Sequence, residues 1–287
     1  MSVNPDVAAV PVSARPVPAA PAVRPEPRPQ PHPHLITDIT VEHGPVELLG
    51  RFFLLADTAV RERGVELSFG SFEDLLRVNE RNRKTWGIIT SMYDYRCCPH
   101  GLAPERAFCL FGRDAGGEVV ATFASRLYDL GERSMKEVGD LMLLHHDDPA
   151  RTRQPNESIE VTAPSASSIR GKLVINGAVW FHPAYRKRQL TMLISRIARL
   201  YAYTRWQMDW CMGLMMEGPT AGGVIDSPGY PYREWGLQIR NAQNGSPRCC
   251  LAWMDARELL ADLRGFLAGF ATKVYVGVDD RRAQNQG

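Results

Sequence analysis

The chain has 287 residues, 44% apolar and 23% charged, with a formal net charge of +2. This is an ordinary balance for a soluble globular protein, long enough for one large domain or two small ones. Charge so near zero gives no global argument for nucleic acid or a membrane surface as partner, and no apolar run reaches the roughly 18 residues that span a bilayer.

Ten of the 21 prolines fall in residues 1–34, in runs such as "RPEPRPQPHPH". With no periodicity and no aromatic residue, this segment reads as a disordered or polyproline-like tail. A globular domain is expected over 35–278, and residues 279–287, "DDRRAQNQG", read as a flexible end. The six cysteines are Cys97, Cys98, Cys109, Cys211, Cys249 and Cys250. Adjacent pairs lack metal-knuckle spacing, so buried thiols in a reduced, cytoplasmic protein are expected, with no metal.

In chain order, "ITDITVEHG" reads as a short strand. "PVELLGRFFLLADTAVRERG" carries helical spacing through Leu48, Leu49, Phe52, Phe53, Ala56 and Val60 and stops at Gly64. Ser71 and Asp74 stand in capping-box positions before one or two helices that include Trp86. "RAFCLFGRD" and "EVVATFASRLYDL" flank a Gly-rich turn as a hairpin. About forty looser residues follow, with "SIEVTAP" as a strand and "HHDD" (His145–Asp148) as a solvated loop.

"GKLVINGAVWFHP" is a strong strand in which Gly177 marks a bulge. A helix from about Arg188 to Tyr203 puts Leu190, Leu193, Ile194, Ile197, Leu200 and Tyr201 on one face and leaves Arg196 and Arg199 off it. "MDWCMGLMM" reads as a buried strand, "PYREWGLQI" as a short helix joined to a strand, and "PRCCLAWMDA" as one more strand. "ARELLADLRGFLAGFA" is the last helix.

Chemistry concentrates where the strand ending in Phe181 turns into the following helix. Arg186, Lys187 and Arg188 stand at a helix start, which already carries about half a positive charge and unpaired backbone N–H groups. That is a cradle for an anion such as a pyrophosphate.

The corner Phe181, Pro183, Tyr185, Arg186 resembles motif A of the GNAT superfamily of acyl-CoA N-acyltransferases. There a loop with glycines wraps the coenzyme A pyrophosphate; here Gln189 and Thr191 stand at two positions normally Gly or Ala. "YREWGL" is similar to the family's "Y-x-x-x-G-F", and the hairpin looks like its second and third strands.

The resemblance implies a mixed, mostly antiparallel central sheet flanked by helices. It implies transfer of an acyl group from acyl-CoA, as co-substrate and not prosthetic group, to an amine or amino-acid acceptor. Phe181, Arg186, Lys187, Arg188, Gln189, Leu190 and Thr191 would hold the donor. Tyr232 would protonate the departing thiolate, with Tyr230 its nearest competitor. A backbone N–H around Trp180 to His182 would meet the oxyanion. For the base, His182, Glu160 and Asp209 are open alternatives beside proton loss to solvent. Two further readings remain open: an acyl carrier protein supplying a long chain, and a non-catalytic binding module of the same fold.

Overall fold

Two hydrophobic cores lie on opposite faces of one eight-stranded sheet. The computed structural model describes residues 35–217 and 229–269; the proline-rich segment, the loop 218–228 and residues 270–287 lie outside the described residues. All described elements belong to the unit His32–Gly287.

The strands are β1 (Glu66–Gly70), β2 (Ala107–Arg113), β3 (Val119–Asp129), β4 (Ser158–Val161), β5 (Lys172–Phe181), β6 (Trp210–Met216), β7 (Tyr232–Arg240) and β8 (Arg248–Asp255). Their order is β1-β2-β3-β5-β6-β8-β7-β4. Every neighbouring pair is antiparallel except β5 with β6. The expected mixed, mostly antiparallel sheet flanked by helices is therefore present.

The apolar strands read as continuous hydrophobic runs because successive side chains enter different cores. In β2, Phe108 and Leu110 enter one core while Cys109 and Phe111 enter the other. In β6, Cys211 and Met212 divide the same way. The first core is completed by α1 (Leu35–Asp38), α2 (Val46–Arg61), α6 (Leu190–Trp206) and a final helix over residues 256–269, α7. The second is covered by α3 (Phe72–Arg81), α4 (Met135–Asp140) and the irregular segments around Met92 and Ala166. A short helix α5 (Pro149–Thr152) lies in the same inserted region.

Ser71 caps α3 as expected, its Oγ accepting from the Asp74 N–H at 3.0 Å. The helix ends at Arg81, and Trp86 lies beyond it. Several expectations are corrected. The stretch that opens "ITDITVEHG" is no strand, since Ile36 to Asp38 belong to the helical turn α1, and Glu66–Gly70 is the edge strand β1. The inserted region holds α4, closed by a reciprocal Ser134–Glu137 capping box, and β4 extends the sheet beyond β7.

"HHDD" is not a solvated loop: His145 and His146 are buried. His146 bridges Thr152 at 2.9 Å and Glu157 at 3.2 Å. Asp147 accepts from the His100 and Gly101 N–H groups and from Arg126. "PYREWGLQI" forms no helix; residues from Tyr232 are strand β7. Gly236 lies within this strand. It lies against the neighbouring segment so closely that an added Cβ would sit 2.4 Å from the Ala163 backbone nitrogen.

Candidate functional site

β5 is the strand on which the site is built. Leu173 to Asn176 pair in parallel with Trp210 to Gly213 of β6. Beyond Asn176 and Gly213 the two strands have no mutual register, so they part into a cleft whose closed end is that last pair. Just past it β5 bulges: Gly177 opposes Ala124 and Trp180 opposes Thr122, so β5 uses one residue more than β3. Ala178 takes the strain with φ of 49°, and the Thr122 hydroxyl donates to its carbonyl at 2.8 Å. Gly177 is required here by proximity, since an added Cβ would stand 2.6 Å from the Tyr93 ring. The bulge bends β5 locally, just past the closed end of the cleft.

Below the bulge the chain turns through His182 and the 3-10 segment Pro183–Tyr185 into α6. Lys187 and Gln189 both have positive φ, 64° and 60°. This is the left-handed conformation in which glycine is at ease and other residues cost about 1–2 kcal/mol. Gln189, at the start of α6, makes no side-chain cap, so the first turn of the helix keeps its unpaired N–H groups.

Arg186 donates to the carbonyls of Phe181 and Thr85, at 3.1 and 3.2 Å. Arg188 donates to the Arg63 carbonyl and lies 4.3 Å from the centre of the Tyr185 ring. Arg63 returns the contact, reaching the Arg188 carbonyl at 2.8 Å and the Gln189 side chain at 3.4 Å. Arg63 is a fourth cation at this corner that reading the local motif missed. Among the described residues these arginines bond carbonyls and the Gln189 side-chain amide, and no carboxylate. Leu190 is buried in the core and offers the corner only its backbone, whereas Thr191 is half-buried in the first turn.

The closed end of the cleft carries a polar cluster that the sequence reading did not assemble. The Asn176 amide donates to Cys211 Sγ at 3.1 Å, to the Met212 carbonyl at 3.2 Å and to the Tyr230 hydroxyl at 3.2 Å. Its oxygen accepts from the Ser125 hydroxyl at 2.7 Å. Burial pushes the Tyr230 phenol well above its ordinary range and raises the Cys211 thiol as well. Both therefore hold their protons at neutral pH. Over the Tyr230 ring, 4.8 Å from its centre, lies the Arg199 guanidinium.

The placements of Arg196 and Arg199 correct the helical-wheel reading, because α6 is covered on nearly all sides. Arg196 is buried and forms two 2.8 Å bonds to Asp262 of α7. Arg199 is fully buried.

The remaining candidates fall elsewhere. Glu160 sits on edge strand β4, paired with Arg240 at 3.0 Å and four strand positions from β5. At the usual strand spacing that is about 19 Å away. His182 accepts the Ala184 N–H on Nδ1, and its own N–H is bonded to the Val120 carbonyl at 2.8 Å. Asp209 accepts from the Lys172 N–H at 2.8 Å, at the opposite end of β5. Tyr232 stacks on Trp253 at 5.7 Å and lines a shallow cavity of about 350 Å³ with Trp210, Asp255, Arg257 and Glu258. Glu258 beside it raises its phenol. Of the two tyrosines, the structure brings Tyr230, not Tyr232, to the closed end of the cleft.

No helix among the described residues is long and apolar enough to cross a membrane. No protein-family model matches the chain, and no curated protein matches it in sequence. Among solved structures it is similar to Arabidopsis thaliana NAA60 in complex with acetyl-CoA, at 13% identity and a TM-score of 0.42, over 67% of this chain and 99% of that one. It is also similar to a variant of the spermidine N-acetyltransferase SpeG from Vibrio cholerae, at 9% identity and a TM-score of 0.41, over 69% of this chain and 96% of that one. At this distance the likeness bears on neither substrate nor residue roles.

Proposed function

We propose that the chain is an N-acyltransferase that moves an acyl group from acyl-CoA to an amine by direct attack. The observation that carries this reading is one continuous arrangement. A cleft between two parallel strands, with a strained bulge on β5 just past its closed end, leads into an uncapped helix N-terminus ringed by Arg63, Arg186, Lys187 and Arg188. The helix end and cations suit a pyrophosphate. The freed edge of β5 suits an extended pantetheine arm and a thioester carbonyl.

The amine nitrogen attacks the thioester carbonyl carbon, forming the C–N bond. Charge develops on the oxygen, where a backbone N–H of the bulge, within residues 177–179, stabilises it. Of the Trp180 to His182 range expected for this donor, His182 drops out, because its N–H is already bonded to the Val120 carbonyl. The C–S bond then breaks and the thiolate takes the Tyr230 proton. Asn176 holds that hydroxyl by donating to its oxygen at 3.2 Å, with the Cys211 sulfur 3.7 Å from the same oxygen. Tyr230 thus takes the role first expected of Tyr232. The proton of the attacking amine leaves to solvent through the open mouth of the cleft, since Glu160 and His182 are otherwise engaged.

A donor chain longer than acetyl, carried by coenzyme A or by an acyl carrier protein, is a second reading. It is favoured by Val179 and Met216, apolar residues exposed on the two arms of the cleft. Titrating free coenzyme A, acetyl-CoA and a long-chain acyl-CoA while following the melting temperature separates these. Binding at a hundredfold excess over Kd stabilises by about 2.7 kcal/mol. A shift with all three supports the first reading, and a much larger one with the long chain supports the second. No shift with any of them defeats the coenzyme A reading.

A further inference from the structure

Arg196 and Arg199 stand three residues apart on α6, and both are buried, yet among the described residues only Arg196 has a counter-charge. Arg196 has Asp262. Arg199 is 0% exposed, its Nε donates to the Ser195 carbonyl at 3.2 Å, and its two terminal nitrogens have no hydrogen-bond partner among the described residues. No acidic side chain among the described residues pairs with it. The buried Ser195 hydroxyl, one turn earlier on the helix, is also without a partner among the described residues. A buried guanidinium with both terminal nitrogens unused is costly, and such charges persist where something anionic completes them.

Resting on the acyl-transfer reading, we propose that Arg199, assisted by the Ser195 hydroxyl, binds a carboxylate carried by the small reacting partner at the closed end of the β5–β6 cleft. Position argues against a phosphate of the donor: Arg199 lies nine residues into α6, about 14 Å along the helix from the cationic corner. It lies instead over Tyr230, whose hydroxyl is held by Asn176, the last paired residue of β5. Shape argues for a carboxylate, because two parallel N–H donors of a guanidinium match its two oxygens. The carboxylate has two sources. It belongs either to an amino-acid acceptor or to a dicarboxylic acyl group such as succinyl.

The test uses the full chain and a panel of matched probes: glycine, alanine and glutamate against methylamine and ethylamine, and succinyl-CoA against acetyl-CoA. Melting temperature and turnover are read for the wild type, Arg199→Met and Arg199→Lys. In the wild type at least one carboxylate-bearing probe stabilises saturably and turns over, while its matched partner without the carboxylate does so more weakly. Response among the amino acids identifies the acceptor as the carrier, and response to succinyl-CoA over acetyl-CoA identifies the acyl group. Both variants weaken the preferred probe by about tenfold to a hundredfold, the loss of a charged hydrogen-bond pair. Free coenzyme A binds all three proteins alike.

Equal response to matched probes in the wild type, or an unchanged preference in Arg199→Met, overturns the proposal. If coenzyme A binds but no carboxylate is preferred, acyl transfer stands and this inference alone fails. If a carboxylate is bound through Arg199 but coenzyme A is not, the reverse holds.

Discussion

The Asn176 side-chain amide donates to the Tyr230 hydroxyl at 3.2 Å, joining the last paired residue of β5 to the segment that leads into β7. The pair places a protonated phenol at the vertex of the cleft without any charge beside its oxygen other than the Arg199 guanidinium stacked on its ring. Tyr230→Phe removes the proton and keeps the ring. It should lower kcat by about a hundredfold, the usual scale for one proton-transfer group, and leave the coenzyme A melting shift intact. Tyr232→Phe should leave kcat nearly unchanged. A larger loss in the second variant than in the first would return the acid role to Tyr232.

Lys187 and Gln189 hold left-handed backbone at a corner where glycine would be unstrained. Lys187→Gly and Gln189→Gly should each raise stability by up to about 1 kcal/mol. The relief of about 1–2 kcal/mol is partly offset by the extra chain entropy of glycine. Urea midpoints at constant slope measure this. A fall in stability in both variants would mean that the side chains contribute more to the corner than their backbone strain costs.

Gly236→Ala would place a methyl carbon 2.4 Å from the Ala163 nitrogen, a backbone atom with no rotamer to yield. The expected loss is about 2–3 kcal/mol, typical of overpacking in a closed interior. The damage should be local, loosening β7 from the Ala163 segment, so Cys249 and Cys250 should react faster with a thiol reagent. An unchanged melting temperature would show that the two segments separate freely.

His145 supplies a pH dependence. Its burial, with the charges of His146 and Arg126 nearby, lowers its imidazole from 6.5 to about 3. Between those values the unfolded chain binds a proton that the folded chain refuses. Stability is therefore full above the unfolded value and falls as pH drops through 6.5 toward 3. From pH 7 to pH 5 this one group should remove about 2 kcal/mol. His145→Gln should flatten that part of the profile; an equal slope in the variant would assign it to other groups.

The hairpin, β5, β6 and β8 were legible because their apolar runs and turn residues leave few alternatives. β1 was not, since "ELSFG" is short, carries polar residues and shows too little alternation to stand out between a helix stop and a helix cap. β7 is hidden for another reason: a bulge between Trp235 and Leu237 breaks its alternation, leaving Trp235 exposed while Leu237 and Ile239 are buried, and the Tyr232–Gly236 spacing matches a family motif that ends a helix. The cationic corner was visible as sequence; Arg63 was not, because it reaches Arg188 across 125 positions. Arg199 was hidden for a different reason. A helical wheel separates apolar from polar faces, and it cannot report that α2, α7 and the sheet cover α6 on nearly every side. The Asn176–Tyr230 contact arises only from the sheet order.

The eight strands fall into two ribbons of four, β1-β2-β3-β5 and β6-β8-β7-β4, sewn together by four residue pairs of β5 and β6. The seam is parallel, the weaker kind of ladder, and it stops where the cleft begins. A load that spreads the two ribbons is concentrated at Asn176 and Gly213, as at the root of a notch. The polar contacts that cross the seam there, from Asn176 to Cys211, to the Met212 carbonyl and to Tyr230, act as stitches at that root. Slackening them widens the mouth of the cleft before it disturbs either ribbon.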